Sequence, residues 1–528
     1  MKFEPILING RWIESFHPAD SFRAVNPATG AAIEPGYPVS SLEDALEALA
    51  AAKQAAVELH RLSVERIAGF LGLFAEKTEA RLDDLIRMAA LETALPEEPR
   101  LRSAEMPRTV SQIRQAAAAV LDRSWCHAVI DTKAGLRSKY NPLAGPVLVF
   151  APNNFPLAFN AAAGGDFISA MASGNPVIGF SNPGHPGTTK LFAGLVLEAL
   201  LESGLPPASF QLLYRVRFED GYKIVSHPST AAVAFTGSRG SGLKLKKAAD
   251  EAGKPAFLEM SSINPLLILP GALETRLEAV AQDLFASCSL GSGQFCTKPG
   301  LVFIQESPST EKFMNLVTMH FQSASAGYLL GESVLRKAAA VVADLVGNGA
   351  RLVAGGKIPP GSGYRYENTL LRVPAEIYLA GREVFQQEAF GPVSLMVIVR
   401  NADQWTSVLE NLDGNLTGCI YSALDGRDDS LYDRIEPLLR RRVGRLLNDK
   451  MPTGVAVSPA MAHGGPFPAT GHPGFTSVGI PASLLRFTAL QSYDHVREHR
   501  LPAELRDRNP TGRMWRFIDG EWTRKDVS

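Results

Sequence analysis

Apolar positions recur along this chain in two rhythms. Between residues 41 and 122 they return every three or four positions with charged residues between them, the period of helices that bury one face. The spacing predicts an Ala-rich helix opening on Ser41-Leu-Glu-Asp44, a sequence able to form a capping box, and further helices over 63–78, 81–93 and 109–121, with Pro96 and Pro107 as punctuation. His60, at a helix end, reads as a surface residue.

Beyond residue 145 the rhythm changes to short, continuous apolar runs of the kind that fill buried parallel strands. They fall at 145–151, 175–180, 210–214 and 231–235, with helices predicted from about Leu157, over 187–202 and, rich in lysine, after Gly242. Strands alternating with helices through short loops predict an α/β fold built on a doubly wound parallel sheet. Residues 255–480 read as a second α/β unit, with strands at 256–258, 265–269, 300–305, 392–399, 414–421 and 444–448. Stretch 124–141 reads as a projecting hairpin. Asn9-Gly10 and Asp519-Gly520 each join two short strands, which predicts a sheet-edge hairpin at either end.

Composition narrows the function. The chain has 528 residues, 45% hydrophobic and 20% charged, with a net charge of -1. That fits a globular protein of two or three domains. It holds no basic run for nucleic acid and no apolar stretch of about 18 residues for a membrane span. The first ten residues have no uninterrupted apolar core of a secretory leader. Cys126, Cys288, Cys296 and Cys419 never stand at CxxC spacing, so a reducing, cytoplasmic setting is expected and no metal site is.

Three loops at strand ends carry complementary groups. Gly291-Ser-Gly-Gln-Phe-Cys-Thr-Lys-Pro299 places Cys296 on a glycine-rich turn between a helix over about 277–290 and a buried strand, where a rigid, reachable thiol can be a nucleophile. Glu259 follows the strand 256–258 and can serve as a general base. Asn154 follows the strand 145–151 and can offer an amide donor to an oxyanion, together with the Cys296 backbone N–H. Each has a plainer reading: an inert buried cysteine, a structural glutamate, a turn asparagine. The turn Gly237-Ser238 leading to Gly242 opens a helix and can present backbone N–H groups to a pyrophosphate, though it is not GxGxxG. The Gly-, Pro- and His-rich stretch 452–476 is too long for an idle connection and is expected to line a site. His463 within it reads as a loop-shaping hydrogen bonder, since no partner His or Cys stands at ligand spacing.

Taken together, Asn154-Phe-Pro156, Phe235-Thr-Gly-Ser238, Leu258-Glu259 with Asn264-Pro265, Gly293-Gln-Phe-Cys-Thr297 and Glu388-Ala-Phe-Gly-Pro392 resemble, in order and across nearly the whole chain, the signature set of the aldehyde dehydrogenase superfamily. Variant stretches such as Glu259-Met-Ser-Ser-Ile-Asn-Pro265 and His463-Gly-Gly-Pro-Phe-Pro-Ala-Thr470 are similar to its α-ketoglutaric semialdehyde branch, which also has relatives acting on fatty aldehydes with NADP.

The resemblance implies a Rossmann-type cofactor domain (1–123 and 145–255), a catalytic domain (256–480) and a small β arm for oligomerisation (124–144 and 481–528, with a strand near 485–488). It implies Cys296 as nucleophile, Glu259 as base and Asn154 as oxyanion donor, Gly237, Ser238 and Gly242 at the pyrophosphate, Glu388 on the nicotinamide-side ribose and Phe390 beside the nicotinamide. The implied partners are an aldehyde, NAD or NADP, and a second copy in a homodimer or homotetramer. The family's usual lysine for the adenosine ribose is replaced by Phe180, which favours NAD unless Arg239, Lys244 or His185 compensates. A substrate carboxylate would want an arginine, for which Arg102, Arg108 and Arg114 are candidates. Two other readings remain: a cofactor-poor, non-catalytic relative, and a cofactor-independent thiol esterase.

Overall fold

In the computed structural model, which describes residues 3–474, 476 and 478–528, two seven-stranded sheets form the body. Phe475, within the 452–476 stretch, and Ser477 lie outside the described residues.

The first sheet runs in the order Ala256–Glu259, Ala232–Thr236, Val147–Phe150, Val177–Phe180 and Phe210–Leu213, all parallel, and ends on the antiparallel hairpin Ile6–Ile8 and Arg11–Ile13. The hairpin is therefore a sheet edge, as its Asn-Gly turn predicts. Helices Val64–Ala80, Met106–Asp122, Gly165–Ala172 and Pro186–Ser203 pack beside this sheet, and Phe74 of the first, with Phe70 stacked on it, meets Phe167 and Phe192 of the last two edge to face. Each such buried ring contributes about 1.5–3 kcal/mol.

The second sheet has the order Arg351–Ala354, Thr369–Pro374, Val393–Val399, Leu301–Gln305, Pro265–Ile268, Asn415–Tyr421 and Val443–Asn448, parallel except at its first edge. A third sheet of five strands joins Val129–Asp131 and Leu136–Pro142 to the C-terminal strands Thr488–Asp494, Arg516–Ile518 and Glu521–Thr523. The first two are the expected hairpin, and the last two flank Asp519-Gly520. Among the described residues no helix is long and apolar enough to cross a membrane.

Four local expectations need correction. The strand at 256–258, expected in the second unit, pairs with Ala232–Thr236 and closes the first sheet. The helix Arg239–Glu251 is its crossover, and a parallel βαβ step returns the chain beside the strand it left. No helix begins at Leu157: residues 157–164 turn irregularly until the helix Gly165–Ala172. The Asn160 side chain competes with a helical ladder there, donating to the Pro156 carbonyl and accepting from Ala162 N–H. The C-terminal arm strand starts at Thr488, where the expected one ends. Residues Ala482–Phe487 form a 3₁₀ helix, held to the body by buried Leu484 and Phe487 and by the Arg486–Asp166 ion pair. Pro96 does separate two helices, but Pro107 interrupts nothing: a π-helical stretch, Glu97–Glu105, kinked at Glu98, runs into the helix Met106–Asp122 with Pro107 in its first turn.

Candidate active site

The two large sheets point the ends of several strands at one another, and the expected residues gather there. Cys296 lies after the helix Pro270–Ser289 and before the strand Leu301–Gln305. The chain reaches it through a left-handed run, Gly291 at φ +57°, Ser292 at +55° and Gly293 at +69°. Gly293 is required for a second reason, because a Cβ on it would stand 2.2 Å from the Gly391 carbonyl oxygen.

Asn264 holds this loop from below. Fully buried and itself left-handed (φ +49°), it donates its amide to the carbonyls of Cys296 (2.7 Å) and Lys298 (2.9 Å), and its Oδ1 accepts from Ser262 and Thr417. Asn154 ties in from the first sheet: its Nδ2 donates to the Gln294 carbonyl at 2.9 Å, which leaves the second amide hydrogen for a ligand.

Glu259 ends its strand, buried, with its carboxylate against the Cys296 thiol. Burial first, then the charge and hydrogen bond of Glu259, push the half-buried thiol well above its ordinary value, so the resting sulfur is protonated. His463 Nδ1 lies 3.9 Å from Glu259 Oε2, and burial holds this ring neutral. Its sequence motif named a loop shaper; the position of its ring beside a carboxylate 204 residues away is visible only in the fold.

A cavity of about 590 Å³ opens on Cys296. Phe155, Phe159, Leu290, Phe295 and Tyr328 give it apolar walls, and Gly454, Val455, Val457 and His463 show that the 452–476 stretch does line it. Of the three candidate arginines only Arg108 is there. Arg102 pairs with Asp83 and Arg114 with Glu79 on exposed surface, because their helix faces point outward. Arg108 donates to the Val455 carbonyl at 2.8 Å, lies 5.1 Å from the centre of the Phe159 ring and has a buried Nε with no protein partner.

Arg100, unmarked by the sequence, lies 4.5 Å over the Phe155 ring and donates to the Asn154 carbonyl at 3.0 Å, while pairing with the buried Glu105. Glu105 also accepts from Leu157 and Ala158 N–H at 2.8 and 2.9 Å. The π-helical turn thus fixes the Asn154 loop. The only sequence signal was its Pro96 and Pro99 in a helical context.

On the other side of Cys296, the strand Ala232–Thr236 runs through Gly237 into the helix Arg239–Glu251, capped at Ser238 with no side-chain cap bond; the Arg239 N–H reaches Ser261 Oγ at 3.4 Å, and the first-turn N–H groups after it can take an outside acceptor. A Cβ at Gly237 would meet the Phe235 ring at 2.7 Å, and one at Gly242 would meet Met260 at 2.8 Å. Glu388 stands near this turn, hydrogen-bonded to Ser261 and the Ser262 backbone, and Phe390 packs at the edge of the first core. Glycine-lined amides and a carboxylate fit the diphosphate and ribose of a nicotinamide dinucleotide. Phe180 is a core ring, 4% exposed and stacked on Phe150 at 4.4 Å between centroids. His185 is buried against the Pro152 carbonyl, Arg239 lies 3.7 Å from Asp413 and Lys244 is exposed.

Comparison with known proteins agrees with this geometry. A profile of the Aldehyde dehydrogenase family matches residues 12–440. The chain is 37% identical over 518 residues to α-ketoglutaric semialdehyde dehydrogenase 2 of Azospirillum brasilense, covering 95% of this chain and 96% of that protein. It is 35% identical over 495 residues to α-ketoglutaric semialdehyde dehydrogenase of Acinetobacter baylyi, covering 92% of each. Solved structures share the fold at 23% identity: lactaldehyde dehydrogenase from Escherichia coli at a TM-score of 0.78, covering 93% of this chain and 98% of that one, and a 1-pyrroline-5-carboxylate dehydrogenase at 0.80, covering 93% and 92%. A sheet with an open, glycine-lined turn facing a thiol, a carboxylate and an amide, matched along most of its length, places this chain in the aldehyde dehydrogenase family, as an NAD(P)-dependent aldehyde dehydrogenase.

Proposed function

We propose that the enzyme oxidises α-ketoglutaric semialdehyde to 2-oxoglutarate, with Cys296 as nucleophile, Glu259 as base and Asn154 as oxyanion donor. The two relatives above carry that substrate in their names. The observation that carries the reading is Arg108, a part-buried guanidinium held by the Val455 carbonyl in the wall of the cavity that opens on Cys296. A part-buried charge wants a counter-ion, and the substrate's carboxylate supplies one.

The resting thiol is protonated, so attack on the aldehyde carbon transfers its proton to the adjacent Glu259 carboxylate. The oxygen of the thiohemiacetal is met by the second Asn154 amide hydrogen and the Cys296 N–H. A bound nicotinamide cofactor would supply the hydride acceptor; the amides at Gly237 to Gly242 would hold its diphosphate and Glu388 its nearer ribose, with Phe390 on the nicotinamide side. With the hydride gone, a thioester remains on Cys296. Once Glu259 has released the thiol's proton to solvent, its carboxylate deprotonates the water that cleaves the thioester, a contribution of about 10²–10⁴-fold, and the thiolate leaves as Cys296. Burial keeps the adjacent His463 neutral, so it adds no charge beside this base.

NAD is the cofactor we favour over NADP, because the buried Phe180 offers no charge to a 2′-phosphate and His185 is already engaged. We assign assembly into a dimer or tetramer to the five-stranded arm.

An aliphatic aldehyde is the second reading, favoured by the phenylalanine walls of the cavity. The ratio of kcat/KM for the semialdehyde to that for an uncharged aldehyde of equal length separates the two. Arg108→Gln is expected to lower that ratio about 10–100-fold, mostly through KM, as loss of a charge-assisted contact of about 1.5–3 kcal/mol requires. An unchanged ratio rejects the carboxylate reading.

A further inference from the structure

We propose that Lys298, two residues beyond the nucleophile, is a positioning residue that sets the Glu388 carboxylate for the cofactor. The inference rests on the proposed role of Glu388 as the ribose holder.

Lys298 is 4% exposed, a rare place for an ammonium group. Its Nζ donates to the Val393 carbonyl and approaches the Ala389 carbonyl at 3.4 Å. Those two carbonyls bracket the turn that follows Glu388, so one ammonium grips the turn at both ends. Two donors are thereby engaged, and the charge itself acts on Glu388. The cost of burying a lysine is offset only if each of these partners is present.

Two further contacts border this grip. Asn264 binds the Lys298 carbonyl and the Cys296 carbonyl with one amide, fixing the lysine's backbone relative to the thiol. Gly293, in the same loop as Cys296, touches Gly391, inside the turn that Lys298 grips. The Glu388 turn therefore packs against the nucleophile loop, which Asn264 holds on its own account, while the Lys298 ammonium grips the turn. An apolar residue here would leave the carbonyls of Ala389 and Val393 short of a donor, and any neutral residue would leave Glu388 short of a positive neighbour.

The test compares Lys298→Met, Lys298→Gln, Glu388→Gln and the Lys298→Gln/Glu388→Gln pair in the full-length protein. NADH affinity is read by fluorescence titration without aldehyde, p-nitrophenyl acetate hydrolysis without nucleotide reads the thiol alone, and thermal melting reads the fold. Lys298→Gln keeps a donor for the carbonyls, so it decides the matter if Lys298→Met does not fold. The expected result is an NADH dissociation constant raised about tenfold by Lys298→Gln, ester hydrolysis lowered by no more than about twofold, and no further loss of affinity when Glu388→Gln is already present. If NADH affinity stays within about twofold of wild type, or if affinity, hydrolysis and melting temperature fall together, the positioning role is wrong. If Glu388→Gln itself leaves NADH affinity unchanged, the ribose-holder reading fails first, and that outcome is distinct from failure at Lys298 alone.

Discussion

At Glu388 a single side chain turns burial into a functional constraint. Desolvation raises its carboxyl from an ordinary 4.5 to about 7, against the opposing pull of Ser261, Lys298, the Ser262 backbone and Arg239. Ribose hydroxyls donate to an ionised carboxylate, so cofactor binding should strengthen as pH rises through this value and weaken below it. The stability linkage has the opposite sense: because the folded value is the higher one, this group's contribution is present below the unfolded value and fades as pH rises from about 4.5 to about 7. NADH dissociation constants measured from about pH 6 to about pH 8 should fall for wild type and lose that dependence in Glu388→Gln. A wild-type curve that is flat over the range would show that Glu388 does not titrate against the cofactor. Cys296 follows the same logic with a different consequence, since its elevated thiol makes nucleophilic attack depend on a neighbouring base.

Elements decide which residues can meet. The parallel strands were legible because each is a closed apolar run with a glycine or proline at its margin, as at 175–180 and 392–399. The capping box at Ser41 was legible because its two reciprocal bonds, between Ser41 and Asp44, close within one helical turn, even though Asp44 also accepts from Ser15 and Phe16. What was not legible depends on distant partners. The π-helical turn Glu97–Glu105 is stabilised by what Arg100 and Glu105 touch in the Asn154 loop, and the missing helix at 157–164 yields to the Asn160 and Glu105 bonds. Likewise Asn264 stood in a recognisable motif while its work, holding the Cys296 loop, is a contact over 32 residues. Asn264→Ala leaves buried carbonyls at Cys296 and Lys298 without a donor and puts alanine in a left-handed conformation. It should cost about 2–4 kcal/mol of stability and lower kcat more than it raises KM. Equal melting temperature and unaltered kcat would mean the loop is held by something else.

For the whole molecule, the chain threads each unit through the others. The strand Thr488–Asp494 pairs with Leu136–Pro142, so the arm needs both halves of the sequence, and the 3₁₀ helix before it anchors the arm to the first core. As the outermost strand of its sheet, Thr488–Asp494 has an unpaired edge and carries Leu490 at 58% exposure. If the arm assembles the enzyme, Leu490→Lys should lower the mass seen by light scattering with little change in melting temperature; an unaltered mass would place assembly elsewhere. The resemblance of the signature residues located the thiol, the carboxylate and the amide before the fold did, because strand ends in an open α/β sheet are where a ligand can reach. The order of the sheets, and so the meeting of Glu388 with Cys296 and of Arg108 with the same cavity, needed the structure. The account turns on Cys296 as the covalent centre. Its most direct test is the initial rate of NADH formation from α-ketoglutaric semialdehyde and NAD, wild type beside Cys296→Ala, with circular dichroism to confirm that both are folded. The expected result is turnover by wild type and none above background for Cys296→Ala. A folded Cys296→Ala protein that forms NADH at a rate near wild type would contradict it.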